Sequence, residues 1–219
     1  MATFLQKSCL INMDKKLLHK SEPKIYEQNI QRKYRNYKWL LYLSITGLSL
    51  MFLSLTFMYF LSHINKQQPP LRISSLFYAN TFILVASSML IIIAQKHFRE
   101  DNYTQYKTCL KLIFCCGILF LIGQSIGWYK MFISGNDLKN NSAAYLYVIF
   151  GLHALHIVGG LIYLSYFILK SRRTLKEYAT SVVYFTDPVA KSQLRLFGIF
   201  WHFLGVLWLY LLFFFTAFE

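Results

Sequence analysis

Residues 196–218 read LFGIFWHFLGVLWLYLLFFFTAF and contain no charged side chain. An α-helix needs about 20 apolar residues to cross the ~30 Å hydrocarbon core of a bilayer. Four further stretches meet this requirement, at about residues 39–61, 76–94, 112–132 and 143–169. The sequence therefore predicts an all-α fold, an integral membrane bundle of five transmembrane helices.

The composition is typical of a chain that is solvated by lipid. Of its 219 residues, 56% are hydrophobic and only 15% are charged, compared with about 45–50% and about 25% in soluble domains. The net charge of +14 could indicate nucleic-acid binding, but the basic residues flank the apolar stretches and do not line one soluble face. We therefore expect no nucleic-acid partner.

Lysine and arginine residues are distributed unequally between the two sides of the predicted membrane. Nineteen of the 23 lie in the N-terminal tail and in the second and fourth connections, and four lie in the first and third connections. Cytoplasmic segments of membrane proteins carry the excess of positive charge. The distribution therefore predicts a cytoplasmic N-terminus and an external C-terminus.

The chain divides at the first apolar stretch. Residues 1–38 form a basic cytoplasmic tail with nine lysine and arginine residues and no apolar run long enough for a signal peptide. Residues 39–219 form the five-helix transmembrane domain. The lack of a transit-peptide pattern favours the bacterial inner membrane as the location of this multi-pass protein.

Few residues inside the predicted spans are polar. All nine acidic residues lie outside the span interiors, and transporters usually place carboxylates within the membrane, so a small transporter acting alone is disfavoured. Asn80 belongs to a stripe of small polar residues on the second span, and Gln124 lies among glycines on the third. Both are expected to hydrogen-bond across helix contacts.

The most specific feature is GLHALHIVGG, residues 151–160 of the fourth span. At 3.6 residues per turn, His153, His156 and Gly160 point within about 60° of one another. The fifth span contains His202 within FWHFLGVLWL, residues 200–209. Imidazoles without partners are not expected to face lipid, so these side chains are expected to face other helices.

Three interpretations of the histidines remain open. A b-type haem would need His153 or His156 together with His202, because two histidines on one turn do not reach opposite faces of one iron. A transition-metal site would lack carboxylate or thiolate support on these faces. We favour the third interpretation, neutral histidines that are hydrogen-bonded between helices or to a neighbouring subunit. Adjacent Cys115 and Cys116 are interpreted as small buried thiols.

With these segments identified, the sequence resembles subunit III of the haem–copper oxidases, in its short five-helix bacterial form. The resemblance rests on GLHALHIVGGLIYL at 151–164 and FWHFLGVLWLYLLFFF at 200–215, with weaker support from ANTFILVASSMLIIIA at 79–94 and GILFLIGQSIGWYKMF at 117–132. It implies a set of signature positions that serve helix packing or a subunit interface: Asn80, Gln124, His153, His156, Gly160, Trp201 and His202.

The resemblance implies an accessory subunit that stabilises catalytic subunit I beside subunit II of a cytochrome c or quinol oxidase. It implies support for proton uptake during oxygen reduction in aerobic electron transport. It implies no catalytic residue, metal ligand or cofactor on this chain, since haem and copper belong to the partner subunits. Structural phospholipid and a larger respiratory supercomplex are expected partners. The alternatives are a stand-alone b-type cytochrome and a small transporter.

Two positions depart from the family pattern. Many members have a glutamate within the membrane in the helix that corresponds to the first span, whereas residues 41–60 here read LYLSITGLSLMFLSLTFMYF. Many members also have an aspartate after the WHF motif, where this chain has Gly205. Without both acids, a mainly scaffolding role is expected.

Overall fold

The computed structural model describes the backbone of residues 2–66, 75–133, 141–174 and 188–217, and the side chains of residues 28, 31–32, 34–62, 64, 75–133, 144–171 and 188–217. Within these ranges the helices are α1 Ala2–Lys66, α2 Leu76–Arg99, α3 Tyr103–Ile133, α4 Asn141–Thr174 and α5 Pro188–Ala217. Each contains a segment that is long and apolar enough to cross a membrane. The predicted all-α bundle of five membrane helices is confirmed, and the predicted sidedness stays a prediction.

The membrane helices extend beyond the apolar stretches from which they are predicted. The spanning segments are Tyr34–Ser62, Leu76–Arg99, Tyr103–Ile133, Ala144–Ser171 and Pro188–Ala217. The largest extension is at the start of α3, where Lys107 and Lys111 lie within the helix. Long basic side chains can reach water along their methylene groups while the backbone stays helical. Hydropathy therefore locates the hydrocarbon region better than it locates the helix ends.

Contacts divide the chain into two compact units, Met1–Tyr42 and Leu43–Glu219. The first unit contains the N-terminal part of α1. The second contains the remainder of α1 together with α2 to α5. The boundary predicted after residue 38 concerns the membrane surface and stays a prediction.

A tight connection of residues 100–102 joins α2 to α3 and turns the chain back on itself. Asp101 has φ of 54°, a left-handed conformation that aspartate adopts more readily than most residues. The N–H of Asn102 donates to the carbonyl oxygen of His97 at 3.0 Å, and Oδ1 of Asn102 accepts the N–H of Gln105 at 3.4 Å, as at a helix N-cap. The short turn makes α2 and α3 antiparallel neighbours.

Helices α2, α3, α4 and α5 form a closed ring through the contacts α2–α3, α3–α4, α4–α5 and α5–α2. Its core is rich in aromatic rings, including Phe77, Phe120 and Trp208, which are at most 1% exposed. Its outer surface is apolar as well, with Phe82 at 78% and Phe213 at 76% exposure. Shape and small polar contacts therefore distinguish the core from the surface, because lipid tails are as apolar as the core.

The membrane segment of α1 contacts this ring along a narrow stripe. Phe52, Thr56 and Tyr59 are buried, and their spacing of four and then three residues places them on one helix face. Oγ1 of Thr56 lies 3.0 Å from Oη of Tyr210 on α5, and the ring of Tyr59 meets Phe215 edge-on at 4.9 Å between centroids. The stripe thus attaches α1 to α5 through Thr56 and Tyr59, and to α4 through Phe52, whose ring meets those of His153 and His156.

Adjacent glycines on α4 provide a matched test of this packing. A Cβ at Gly160 would lie 3.2 Å from Cζ3 of Trp201, whereas no described atom outside its own helix backbone lies within 4 Å of a Cβ at Gly159. We predict that Gly160→Val lowers the free energy of unfolding by about 1–3 kcal/mol, because overpacking forces α4 away from α5. Gly159→Val is expected to change it little. Thermal unfolding in detergent checks the pair, and equal midpoints for the two variants would contradict the packing.

Candidate functional site

The seven signature residues lie on α2 to α5. Five of them are buried in the ring, namely Asn80, Gln124, His153, Gly160 and Trp201, and His156 and His202 are half-buried. Most of their contacts centre on two tryptophans of α5. We define the Trp201 layer as Ser87, Gly117, Gly160 and Trp201, and the Trp208 layer as Thr81, Phe120, His153 and Trp208.

The Trp201 layer joins four helices through one side chain. Nε1 of Trp201 donates a hydrogen bond to Oγ of Ser87 on α2 at 2.7 Å. A Cβ at Gly117 on α3 would lie 3.2 Å from the Trp201 ring, as would a Cβ at Gly160 on α4. The indole therefore lies against two glycine backbones, and a Cβ at either position would require it to shift by a few tenths of an ångström.

The Trp208 layer encloses the first histidine of the motif. Nε1 of Trp208 donates to Oγ1 of Thr81 at 3.2 Å, and the His153 ring stacks on Trp208 with 5.4 Å between centroids and 28° between planes. The edges of Phe120 and Phe52 meet His153 at 6.1 and 6.4 Å between centroids. His153 is 0% exposed, so neither lipid nor another subunit reaches it in this arrangement.

Two of the buried signature residues have side-chain polar atoms with no hydrogen-bond partner within the described ranges. They are His153, through both ring nitrogens, and Gln124, through both amide atoms. Asn80 differs, because its Nδ2 donates to the carbonyl oxygen of Phe120 at 3.2 Å. The hydrogen bond between helices expected from the sequence is thus present for Asn80 and missing for Gln124 and His153, where aromatic neighbours take its place at His153.

His156 and His202 have different surroundings. Nδ1 of His156 lies 2.6 Å from the carbonyl oxygen of Leu152, so this hydrogen bond stays within α4 and does not join two helices. The His156 ring meets Phe52 at 6.2 Å between centroids, and Phe52 also meets His153, as expected for histidines on one side of α4. His202 lines a groove of about 220 Å³ between α2 and α5.

Metal-binding side chains do not gather in the part of the chain that the structure describes. No group of three or more histidine, cysteine, aspartate or glutamate residues comes together there as a candidate metal site. Cys109 is buried and Cys116 is partly buried, whereas Cys115 is exposed. The interpretation of Cys115 as a buried thiol is wrong, because consecutive helical residues point about 100° apart and only one of the pair faces the core.

The backbone at Gly205 has room for a Cβ, the first side-chain atom of the aspartate that is expected there from the resembled family. A Cβ at this position would lie 3.6 Å from Oγ of Ser88, an ordinary van der Waals distance. Gly205, Ser88 and His202 line the same groove, and no acidic residue is among its lining side chains. Glycine at position 205 therefore leaves the groove less polar than an aspartate would. The space around this position does not require a glycine.

Trp208 and Phe120 belong to the site, although neither was singled out from the sequence. Trp208 follows Trp201 by seven residues, which places both tryptophans on one side of α5 after two turns. That spacing is the signal that could have found Trp208. Phe120 has no comparable signal, since phenylalanine is abundant on every face of these helices.

Gln124 and Asn80 lead to opposite predictions for removal of a buried amide. We predict that Gln124→Met raises the free energy of unfolding by about 1 kcal/mol, since it removes an unpaired buried group while keeping the side-chain length. Asn80→Leu is expected to lower it, because the Phe120 carbonyl loses its donor. Unfolding midpoints of both variants in one detergent check this. A loss of stability in Gln124→Met would show that Gln124 has a partner in the protein.

Comparison with known proteins gives a consistent set of relatives, although no protein-family model matches the chain. The cytochrome c oxidase subunit 3 of Osphranter robustus is 30% identical over 132 residues, which cover 60% of this chain and 46% of the relative. The protein of that name from Synechocystis is 29% identical over 133 residues, covering 60% of this chain and 52% of the relative. That from Thermostichus vulcanus is 29% identical over 133 residues, or 60% of each chain.

The match spans about half of the length of these curated relatives, between 46% and 60%. It nevertheless recurs, at comparable identity, in relatives that carry the same name. The resemblance inferred from the histidine motifs and the five-helix bundle agrees with it. Over 60% of its length the chain is therefore similar to proteins named cytochrome c oxidase subunit 3.

Proposed function

We propose that this chain is the accessory, non-redox subunit III of a haem–copper terminal oxidase that reduces oxygen in aerobic electron transport. The observation that carries the proposal is the recurrent similarity to proteins named cytochrome c oxidase subunit 3. In this role the chain packs against catalytic subunit I, beside subunit II. Those partners supply the haem and copper, and this chain binds neither.

The environment of His153 supports a structural role for the histidine motif. Its ring is stacked on Trp208 and edged by Phe120 and Phe52. A haem iron bound to His153 would place a porphyrin in the space that these rings fill. The packing therefore favours the accessory subunit over a stand-alone cytochrome that uses His153 with His202.

The distribution of acids bears on how the chain could support proton uptake. No aspartate or glutamate lies within the described membrane-spanning segments. Proton relays within membranes depend on such ionisable residues. We therefore assign the chain an indirect role in proton uptake, through stabilisation of subunit I, and the same observation disfavours a small transporter.

The groove between α2 and α5 is our candidate site for a structural phospholipid. Its volume is about 220 Å³ and its walls are mostly apolar. Val85, Met89 and Val206 line it and are between 46% and 64% exposed, so it opens on the outer surface of the bundle. An acyl chain matches these walls better than a polar ligand does.

The assembly and its location follow from the same proposal. The relatives carry cytochrome c in their names, which favours cytochrome c over quinol as the electron donor. We place the complex in the bacterial inner membrane, where a larger respiratory supercomplex is a further setting for it.

The first experiment is purification of the full chain in mild detergent through a tag at its N-terminus. The eluate's redox difference spectrum is recorded, and its partners are identified by mass spectrometry. We expect subunits I and II to co-purify with a haem spectrum. When this chain is separated from them, we expect the spectrum to remain with the partners and the chain to show no haem signal.

Substitution of the histidines decides the alternative. His153→Leu, His156→Leu and His202→Leu are each compared with the unchanged chain after separation from its partners. A haem signal that stays with the separated chain and disappears in one of these variants would establish a cytochrome in its own right. Purification without any haem-containing partner would also count against the accessory role.

A further inference from the structure

Residues 32–42 of α1 form a basic–aromatic segment with an exposed surface. The cations Arg32, Arg35 and Lys38 are all exposed. The aromatic residues among them are exposed too, with Trp39 at 69%, Tyr37 at 50% and Tyr42 at 42%. An unusual density of cations and amphipathic rings is thus available to a partner.

The segment contains no acid to balance its positive charge, and the nearest acid along the chain is Glu27, five residues before Arg32. Residues 32–38 contain four cations, and no aspartate or glutamate occurs between Gln28 and Arg99. The basic residues at the α2–α3 connection differ, because Glu100 and Asp101 lie among them and Nζ of Lys96 is 3.9 Å from Oε1 of Glu100. The segment therefore keeps an electrostatic attraction for anions that the other cluster partly loses.

The arrangement along the helix combines charge with an interfacial anchor. Nζ of Lys38 lies 5.7 Å from the centroid of the Tyr42 ring, within the range of a cation–π contact. Arg35, Lys38, Trp39 and Tyr42 follow an i, i+3, i+4, i+7 spacing and share one side of the helix. Tryptophan and tyrosine prefer the headgroup level of a bilayer, and the apolar stretch of the first span begins in the same residues.

We propose that the basic–aromatic segment binds the anionic headgroups of phospholipids in the bilayer that the chain spans. Clusters of lysine and arginine next to a membrane helix attract acidic lipid surfaces, and guanidinium groups form paired hydrogen bonds with phosphate oxygens. An acidic protein would satisfy the charge but would not need exposed rings at the start of a membrane span. A lipid surface satisfies both features, and this proposal is independent of the proposed function.

The test uses the full chain reconstituted in vesicles of phosphatidylcholine with phosphatidylglycerol. Spin-labelled forms of each lipid report, by electron paramagnetic resonance, the ratio of the association constants for phosphatidylglycerol and phosphatidylcholine. We compare R32Q/R35Q/K38Q with K96Q/R99Q/K111Q, which removes the same charge from exposed residues elsewhere. Circular dichroism and the unfolding midpoint verify that both variants are folded.

We expect the unchanged chain to prefer phosphatidylglycerol and to lose much of this preference at high salt, because screening weakens exposed charges. The R32Q/R35Q/K38Q variant should lower the ratio of association constants several-fold, with roughly fivefold per cation as the upper bound. The K96Q/R99Q/K111Q variant should lower it less. A ratio near one for the unchanged chain, an unaltered ratio in the first variant, or an equal fall in both variants would overturn the proposal.

Discussion

The contact between the Trp201 indole and the glycines at 117 and 160 is the constraint on which the helix ring depends. Both glycines approach the indole closely enough that a Cβ would lie 3.2 Å from it, and the indole N–H reaches Ser87 across the ring. One α5 side chain thus sets the spacing of α2, α3 and α4. Close backbone approach provides much of the attraction between membrane helices, which have no hydrophobic driving force for association. Loss of this fit would therefore loosen the contacts between these helices.

The Trp208 layer repeats this design two turns away, with a histidine where the first layer has glycine. Trp208 stacks on His153 and donates to Thr81, so α2, α4 and α5 meet again at one indole. The unpaired amide of Gln124 shows that the interior is not fully optimised for hydrogen bonding. A buried group of this kind costs about 1–3 kcal/mol, which the aromatic packing around it must outweigh.

These two layers contain most of the distinctive side chains of the ring, so those side chains serve packing within this chain. His153, Trp201 and Gly160 face inward, and what the ring presents outward is apolar surface and the groove beside His202. Such an exterior suits lipid and neighbouring membrane helices, while the cations suited to headgroups lie before the first span. Under the proposed function, the chemistry of oxygen reduction belongs to partner subunits, and this chain contributes shape and stability.

The sequence by itself determined the five spans, since the length of helix that crosses a bilayer is a fixed physical requirement, and the spacing of His153 and His156 determined their common side of α4. It also placed Asn80 and Trp201 among the packed positions. Only the tertiary structure decided that Trp208 stacks on His153, that Gln124 lacks a partner and that Cys115 faces outward. The reason is that membrane helices are apolar on every face: Phe77 is 0% and Phe82 78% exposed on the same helix. Hydrophobic periodicity, which separates core from surface in water, therefore carries little information about which faces meet in lipid.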